Sequence, residues 1–264
     1  MKLLNGSELA GFIKERQARQ VRALKTRPKL AIILTIDHPA INIYIKMKQA
    51  YGDDIGIDVD IHRIKQAEAP EVIQKVNNDS SVSGIIVQLP LEDTTKTDEI
   101  VNLVAPEKDV DALGKNAKFD PATPMAILWL LNGYNVELAG KKILLVGRGK
   151  LVGAPLEKIL KSSNYDVVVV DHNTKDLAAF TKDADIIITA TGNPGILKAS
   201  MIKENAVVLD AGVASEEGKT IGDLDPDVYE RDDLTITPQK GGVGPLTVCA
   251  LFENVIRATQ NVQS

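Results

Sequence analysis

Two separated series of short, almost wholly apolar runs dominate the chain. The first series holds LAIILTI (30–36), IDVDIH (57–62) and GIIVQL (84–89). The second holds KILLVG (142–147), DVVVV (166–170), DIIIT (185–189) and AVVLD (206–210). Runs of this kind suit strands of a parallel sheet, whose two faces are both covered by helices. Helical stretches are expected between them, at 40–51, 69–78, from about 151, and at 175–182. Another is expected over 7–25 with Ser7 as its N-cap, and a last one over 246–261. Strand and helix alternate twice, which predicts an α/β chain of two lobes. The expected division is 1–122 plus 246–264 for one lobe and 123–245 for the other. The segment from Pro106 to about Gly140 should link the lobes across a cleft. The four valines of DVVVV should be buried on both faces, which makes the carboxylate at their exit, Asp171, a question.

The chain's 264 residues suffice for two such cores. A net charge of −5 leaves no general basic face for a nucleic-acid backbone. Lys14, Arg16, Arg19, Arg22, Lys25 and Arg27 do cluster, but with Glu15 along the first helix they read as a solvated face. The single cysteine, Cys249, excludes an intrachain disulfide and a CxxC metal site, and the three histidines are scattered. No apolar run reaches membrane-spanning length, and the N-terminal one is too short for a secretion signal. A soluble, cytoplasmic protein is expected, with no nucleic-acid or membrane partner.

Five stretches can carry chemistry. VGRGKLVG (146–153) follows an apolar strand and opens a helix, the context in which glycines let backbone amides approach a pyrophosphate. Its spacing is GxGxxxG, and glycines alone are weak evidence because any tight strand-to-helix turn uses them. In NIYIKMK (42–48), Tyr44 and Lys48 stand one helical turn apart on one face. A lysine partly desolvated beside a hydroxyl can exchange protons near neutral pH, although such a pair is more often only a surface feature. VQLPL (87–91) puts Gln88 at the carboxyl edge of a parallel sheet, where ligands of such sheets bind. PEKDVDA (106–112) puts Asp109 and Asp111 in the segment between the lobes, where a charged loop is otherwise simply solvated. TPQKGGVGPLTV (237–248) is either a linker or a rigid loop lining a site.

YIKMK, GIIVQLPL, KDVD, the Thr123-Pro124 pair, VGRGKLVGAP and TPxxGGVGPLTV occur in the order seen in the methylenetetrahydrofolate dehydrogenase/cyclohydrolase family, which the chain resembles over roughly residues 30–257. The resemblance implies an N-terminal α/β catalytic lobe, a Rossmann-like NAD(P)-binding lobe, and a C-terminal helix that returns to the first. It implies a homodimer that oxidises 5,10-methylenetetrahydrofolate and hydrolyses the methenyl product to 10-formyltetrahydrofolate, without a metal. Lys48 would transfer the proton, with Tyr44 assisting, Gln88 positioning Lys48, and Asp111 accepting hydrogen bonds from the pterin. Leu89, Pro90, Gly241, Gly242 and Pro245 would join them at the tetrahydrofolate substrate. Gly147, Arg148, Gly149, Val152, Gly153, Asp171, His172, Thr191, Gly192 and Gly212 would hold the cofactor. The chain departs from the family pattern at Ile41, Ala112, Ala122, Gly149, Gln239 and Lys240. Ala112 stands where the family has glycine. The rivals are a monofunctional NAD-dependent dehydrogenase, a shikimate-dehydrogenase-like enzyme, and a non-catalytic binding relative.

Asp171 follows Gly147 by 24 residues, at the end of the second strand of its lobe. A carboxylate there accepts hydrogen bonds from the adenosine ribose and repels a 2′-phosphate, which points to NAD. Arg148 points the other way, since by resemblance it would clamp the 2′-phosphate of NADP. A helix N-cap or a turn acid ahead of Thr174 is the plain structural alternative for Asp171.

Overall fold

In chain order the strands are β1 (Lys2–Leu3), β2 (Lys29–Leu34), β3 (Asp58–Arg63), β4 (Gly84–Val87), β5 (Ile143–Val146), β6 (Val167–Val170), β7 (Ile186–Thr189), β8 (Val207–Asp210), β9 (Ala214–Glu216), β10 (Lys219–Ile221) and β11 (Thr235–Ile236). The helices are α1 (Gly6–Arg22), α2 (Pro39–Ile55), α3 (Ala69–Asn78), α4 (Thr97–Val101), α5 (Ala122–Gly133), α6 (Gly153–Ser162), α7 (Leu177–Asp183) and α8 (Val243–Gln263). This computed structural model describes residues 1–212, 214–216 and 219–263. The chain forms two units, one of Gly11–Ala122 with Val248–Ser264 and one of Met1–Ala10 with Thr123–Thr247. Among the described residues no helix is long and apolar enough to cross a membrane.

In the first of these units the sheet runs β3-β2-β4, all parallel, with β2 in the centre. Ile33, Ile85 and Val87 of the sheet pack with Ala69, Ile73 and Val76 of α3. Pro70 opens α3, where its missing N–H costs nothing. The other end is closed from outside the helix. The Lys108 ammonium donates to the carbonyls of Val76 (3.3 Å), Asn77 (2.8 Å) and Asp79 (2.7 Å), at the end where a helix runs out of its own donors. The C-terminal part of α8 belongs to this unit. Gln17 Nε2 donates to Cys249 O at 2.9 Å, and Asn254 Nδ2 donates to Val110 O and Asp120 O, each at 2.9 Å.

The other unit carries a six-stranded parallel sheet in the order β1-β11-β8-β7-β5-β6. Leu144, Val146, Ile187, Val208 and Ile236 form part of its core. The chain leaves β5 for β6 on one side and reaches β7 on the other, so strand order reverses at β5. A crevice at the carboxyl ends of the strands belongs at such a reversal. β9 and β10 pair antiparallel, apart from this sheet.

Several expectations need correction. DVVVV is not buried on both faces: β6 is the edge of its sheet, and Val168 is 45% exposed. Residues 1–10 do not belong with 11–122. β1 pairs with β11, Lys2 opposite Thr235, and so extends the larger sheet. Ser7 is not the cap of α1, because Asn5 Oδ1 accepts the Glu8 amide at 3.2 Å and Ser7 lies within the helix. The linking segment 106–140 contains α5, whose ATPMAILWLLNG shows no amphipathic period because Ala126, Ile127, Leu130 and Leu131 are all buried. The basic N-terminal cluster does lie at the surface in ion pairs, Arg16 with Glu253 at 3.0 Å, Arg27 with Asp58 at 2.8 Å, and Lys14 with Asp54.

Candidate active site

Lys48 sits on α2 directly after the central strand β2, and Gln88 follows β4, the strand beside it. Their side chains meet: the Lys48 ammonium donates to Gln88 Oε1 at 2.8 Å. The Gln88 amide nitrogen donates to Leu89 O at 2.9 Å, which fixes which end of the amide faces the lysine. The KDVD segment runs alongside β4. Ile85 N donates to Lys108 O at 2.7 Å, and Ile85 and Asp109 form a parallel bridge. That register carries Asp111 toward the same carboxyl edge as Gln88.

Burial lowers Lys48 below the ordinary lysine range, and the Asp111 carboxylate partly opposes the shift. Burial raises Asp111 in the same way, with Lys48 pulling it back. Lys48, Gln88 and Asp111 are therefore one electrostatic group. Tyr44, one turn before Lys48, is 41% exposed and presents its ring to solvent beside it. Leu89 and Pro90 continue the same edge. Asp109 is not a second member of the group. It is buried, and its two oxygens accept the Gly114 amide at 2.8 Å and the Leu113 amide at 3.4 Å, which shapes the loop that presents Asp111. Ala112, directly after Asp111, has φ +56°.

In the other unit the glycine turn follows β5. Gly147 has φ +105°, and a Cβ there would lie 2.5 Å from Ala190 O, while a Cβ on Gly153 would fall on Gly147 O. Both positions need glycine for different reasons, one for backbone conformation and one for close approach. Open space surrounds the Cβ position of Gly149. Val152, the residue before α6, offers no side-chain cap; Ala154 N donates to Gly149 O and Leu156 N to Val152 O, each at 3.0 Å, and Pro155 has no N–H, so in the first turn the Gly153 amide is the donor left for a ligand. That arrangement fits a phosphate-bearing dinucleotide. Thr191 and Gly192 lie just beyond β7 and Gly212 just beyond β8, along the same sheet edge. Gly241 and Gly242 stand against the start of α1: Ser7 N donates to Gly241 O at 2.8 Å. Pro245 lies in the first turn of α8. Among the described residues no three His, Cys, Asp or Glu side chains are grouped to hold a metal ion.

Asp171 directly follows β6 and heads a turn. Its Oδ1 accepts the Asn173 amide at 2.9 Å, and Thr174 Oγ1 accepts the Asp171 amide at 3.2 Å. The N-cap of α7 is Asp176, so Asp171 is a turn acid but not a helix cap. Its neighbour His172 is exposed. Arg148 pairs with neither of them. Its Nε donates to Glu157 Oε2 at 2.8 Å, and Lys161 donates to the other oxygen at 2.7 Å. Those partners, Lys161 first, hold Glu157 below the usual carboxylate range. Glu157 is only 12% exposed, whereas Arg148 is 63% exposed. Reading along the chain missed Glu157, because nothing in LEKIL distinguishes it from an ordinary helix-surface acid.

The catalytic-domain model of tetrahydrofolate dehydrogenase/cyclohydrolase matches residues 4–111, and the NAD(P)-binding-domain model of the same enzyme matches residues 121–263. The bifunctional protein FolD of Hydrogenobaculum sp. (strain Y04AAS1) is 37% identical over 98% of this chain and 98% of its own. The crystal structure of the bifunctional methylenetetrahydrofolate dehydrogenase/cyclohydrolase FolD from Campylobacter jejuni superposes with a TM-score of 0.93 at 36% identity, covering 99% of each chain. The Trypanosoma brucei enzyme, whose structure holds NADP and an inhibitor, superposes with a TM-score of 0.91 at 27% identity, covering 99% of this chain and 98% of its own. The chain belongs to the tetrahydrofolate dehydrogenase/cyclohydrolase family.

Proposed function

We propose that this protein oxidises 5,10-methylenetetrahydrofolate to the 5,10-methenyl cation with a nicotinamide cofactor and then hydrolyses that cation to 10-formyltetrahydrofolate. The observation that carries this reading is the Lys48 ammonium, desolvated, held by Gln88 at 2.8 Å and coupled to Asp111, in a chain of this family. The bound nicotinamide supplies the hydride acceptor. Hydride loss leaves a cation shared by two folate nitrogens, so the chain's task in that step is alignment. Asp111 receives the pterin by accepting its hydrogen bonds, Tyr44 lies along the ring system, and Leu89 and Pro90 wall the edge. In hydrolysis Lys48 takes a proton from the attacking water as the C–O bond forms. It returns that proton to the ring nitrogen whose bond to that carbon breaks, and the remaining hydroxyl proton leaves to solvent as the formyl C=O forms. A lysine lowered by burial can do both near neutral pH, and Gln88 keeps it aimed.

Gly147, Gly149, Val152 and Gly153 would hold the cofactor's pyrophosphate, with Thr191, Gly192 and Gly212 nearer the nicotinamide. NAD is the preferred cofactor in this reading. Asp171 presents a carboxylate whose Oδ2 carries no hydrogen bond among the described residues, and Arg148 is taken up by Glu157. NADP becomes the better partner if Arg148 leaves Glu157 for a 2′-phosphate. A cytoplasmic homodimer is the setting that goes with this reading. Methenyl formation followed by absorbance, with NAD and NADP compared side by side, tests it. Turnover favouring NAD supports the dehydrogenase and its cofactor, turnover favouring NADP reassigns Arg148, and no turnover with either refutes the dehydrogenase.

A further inference from the structure

Asp223 is fully buried and takes no part in the chemistry above. Its Oδ2 accepts the Thr191 amide at 2.7 Å and its Oδ1 accepts the Asn193 amide at 3.0 Å. These amides flank Gly192, which has φ +68°, in the turn that leaves β7. The amide of Asp223 donates to Asp210 Oδ1 at 3.1 Å, and the Asp210 carboxylate also accepts the amides of Gly212 (2.9 Å) and Leu224 (3.2 Å). The Asp210 amide donates to Thr237 Oγ1 at 2.9 Å, at the head of the glycine-rich loop. One polar chain thus joins three turns at the carboxyl edge of the sheet. A Cβ on Gly212 would fall on the Asp223 carboxylate, and one on Gly222 would fall on Asp210, so the chain leaves no room for a side chain at either glycine.

A buried carboxylate costs folding free energy unless its oxygens are satisfied, and here each oxygen faces a backbone N–H. Asparagine at this position would aim an NH₂ at one of those N–H groups. Burial, then the charge of Asp223, raises Asp210, which eases the placement of two carboxyl groups side by side. We infer that Asp223 is a positioning residue for the nicotinamide cofactor, holding the Thr191 and Asn193 amides so that the Thr191–Gly192 turn is preformed to receive it. This inference rests on the proposed placement of Thr191, Gly192 and Gly212 at the cofactor.

The cyclohydrolase reaction needs no cofactor and serves as the internal control. In Asp223→Asn the KM for the nicotinamide cofactor should rise about tenfold, the cost of a broken charged hydrogen bond. Dehydrogenase kcat should fall less than about threefold and cyclohydrolase kcat/KM should stay within about twofold, a split that general misfolding would not give. A cofactor KM within about twofold of wild type, or a parallel fall of both activities, overturns the inference. Asp223→Ser, whose hydroxyl reaches at most one amide, gives the same readout should Asp223→Asn not fold. Hydrogen exchange on the wild-type enzyme decides independently: the Thr191 and Asn193 amides should already be slow without cofactor, and fast exchange there overturns the brace. Added cofactor should slow Gly192. If it does not, the cofactor placement fails while the brace itself stands.

Discussion

Lys48 and Gln88 are joined by a 2.8 Å hydrogen bond although one lies on α2 and the other at the end of β4. The contact exists because β2 and β4 are neighbours in register, Ile33 opposite Val87, which brings the helix after one to the exit of the other. Gln88→Ala removes the acceptor and leaves the lysine free to swing. Cyclohydrolase kcat should fall about a hundredfold, within the range of a misaligned acid–base group, while cofactor KM holds. An unchanged kcat would show that Lys48 needs no such support.

Burial lowers Lys48 and the Asp111 charge pushes it back up. The neutral amine is the form that takes a proton from water, so cyclohydrolase kcat should rise with pH along a limb below the ordinary lysine value of 10.5. Asp111→Asn removes the charge that favours the ammonium, so the limb moves to lower pH. Gln88→Glu adds a charge of the same sign as Asp111, so the limb moves to higher pH. Shifts in the opposite directions, or none, would mean that the limb belongs to another group.

Glu157 keeps Arg148 on α6. Glu157→Gln weakens that hold and should raise the ratio of kcat/KM for NADP over NAD about fivefold, the scale of a mostly solvent-exposed ion pair. Asp171→Ser should move the ratio the same way by removing the charge that repels a 2′-phosphate. Steady-state kinetics with both cofactors checks each variant. A ratio that ignores both changes would detach Arg148 and Asp171 from cofactor choice.

Ala112 occupies the left-handed region at φ +56°. That conformation costs an L-residue about 1–2 kcal/mol. Glycine there recovers the strain but loses about 0.5–1 kcal/mol to the freer unfolded chain. Ala112→Gly should therefore stabilise the protein slightly, with a rise in Tm of about 2 °C for a chain of this size. A lower Tm on thermal unfolding would mean that the methyl group contributes packing worth more than the strain.

Much of this architecture was legible because its cause is local. APEVIQKVNN carries its own start signal and an apolar face, and α3 spans Ala69–Asn78 as expected. Lys48, Gln88 and Asp111 were legible as residue types in ordered motifs. The errors share another cause. Whether DVVVV is central or at an edge depends on strand order, which four valines cannot encode. Lys2–Leu3 and Thr235–Ile236 are strands only because they meet each other. Asp223 and Glu157 look like any other acids until the backbone amides or the guanidinium that they bind are brought to them from elsewhere in the chain.

Each unit joins stretches far apart in the sequence: Lys2 pairs with Thr235 in one, and Gln17 reaches Cys249 while Asn254 reaches Val110 in the other. During synthesis, therefore, neither unit can finish early and wait for its neighbour. β1 leaves the ribosome long before β11 exists, and β2, β3 and β4 can pair well before α8 arrives. Both cores close nearly together, once residues 235–254 have emerged, so the nascent chain carries unfinished apolar surface until then.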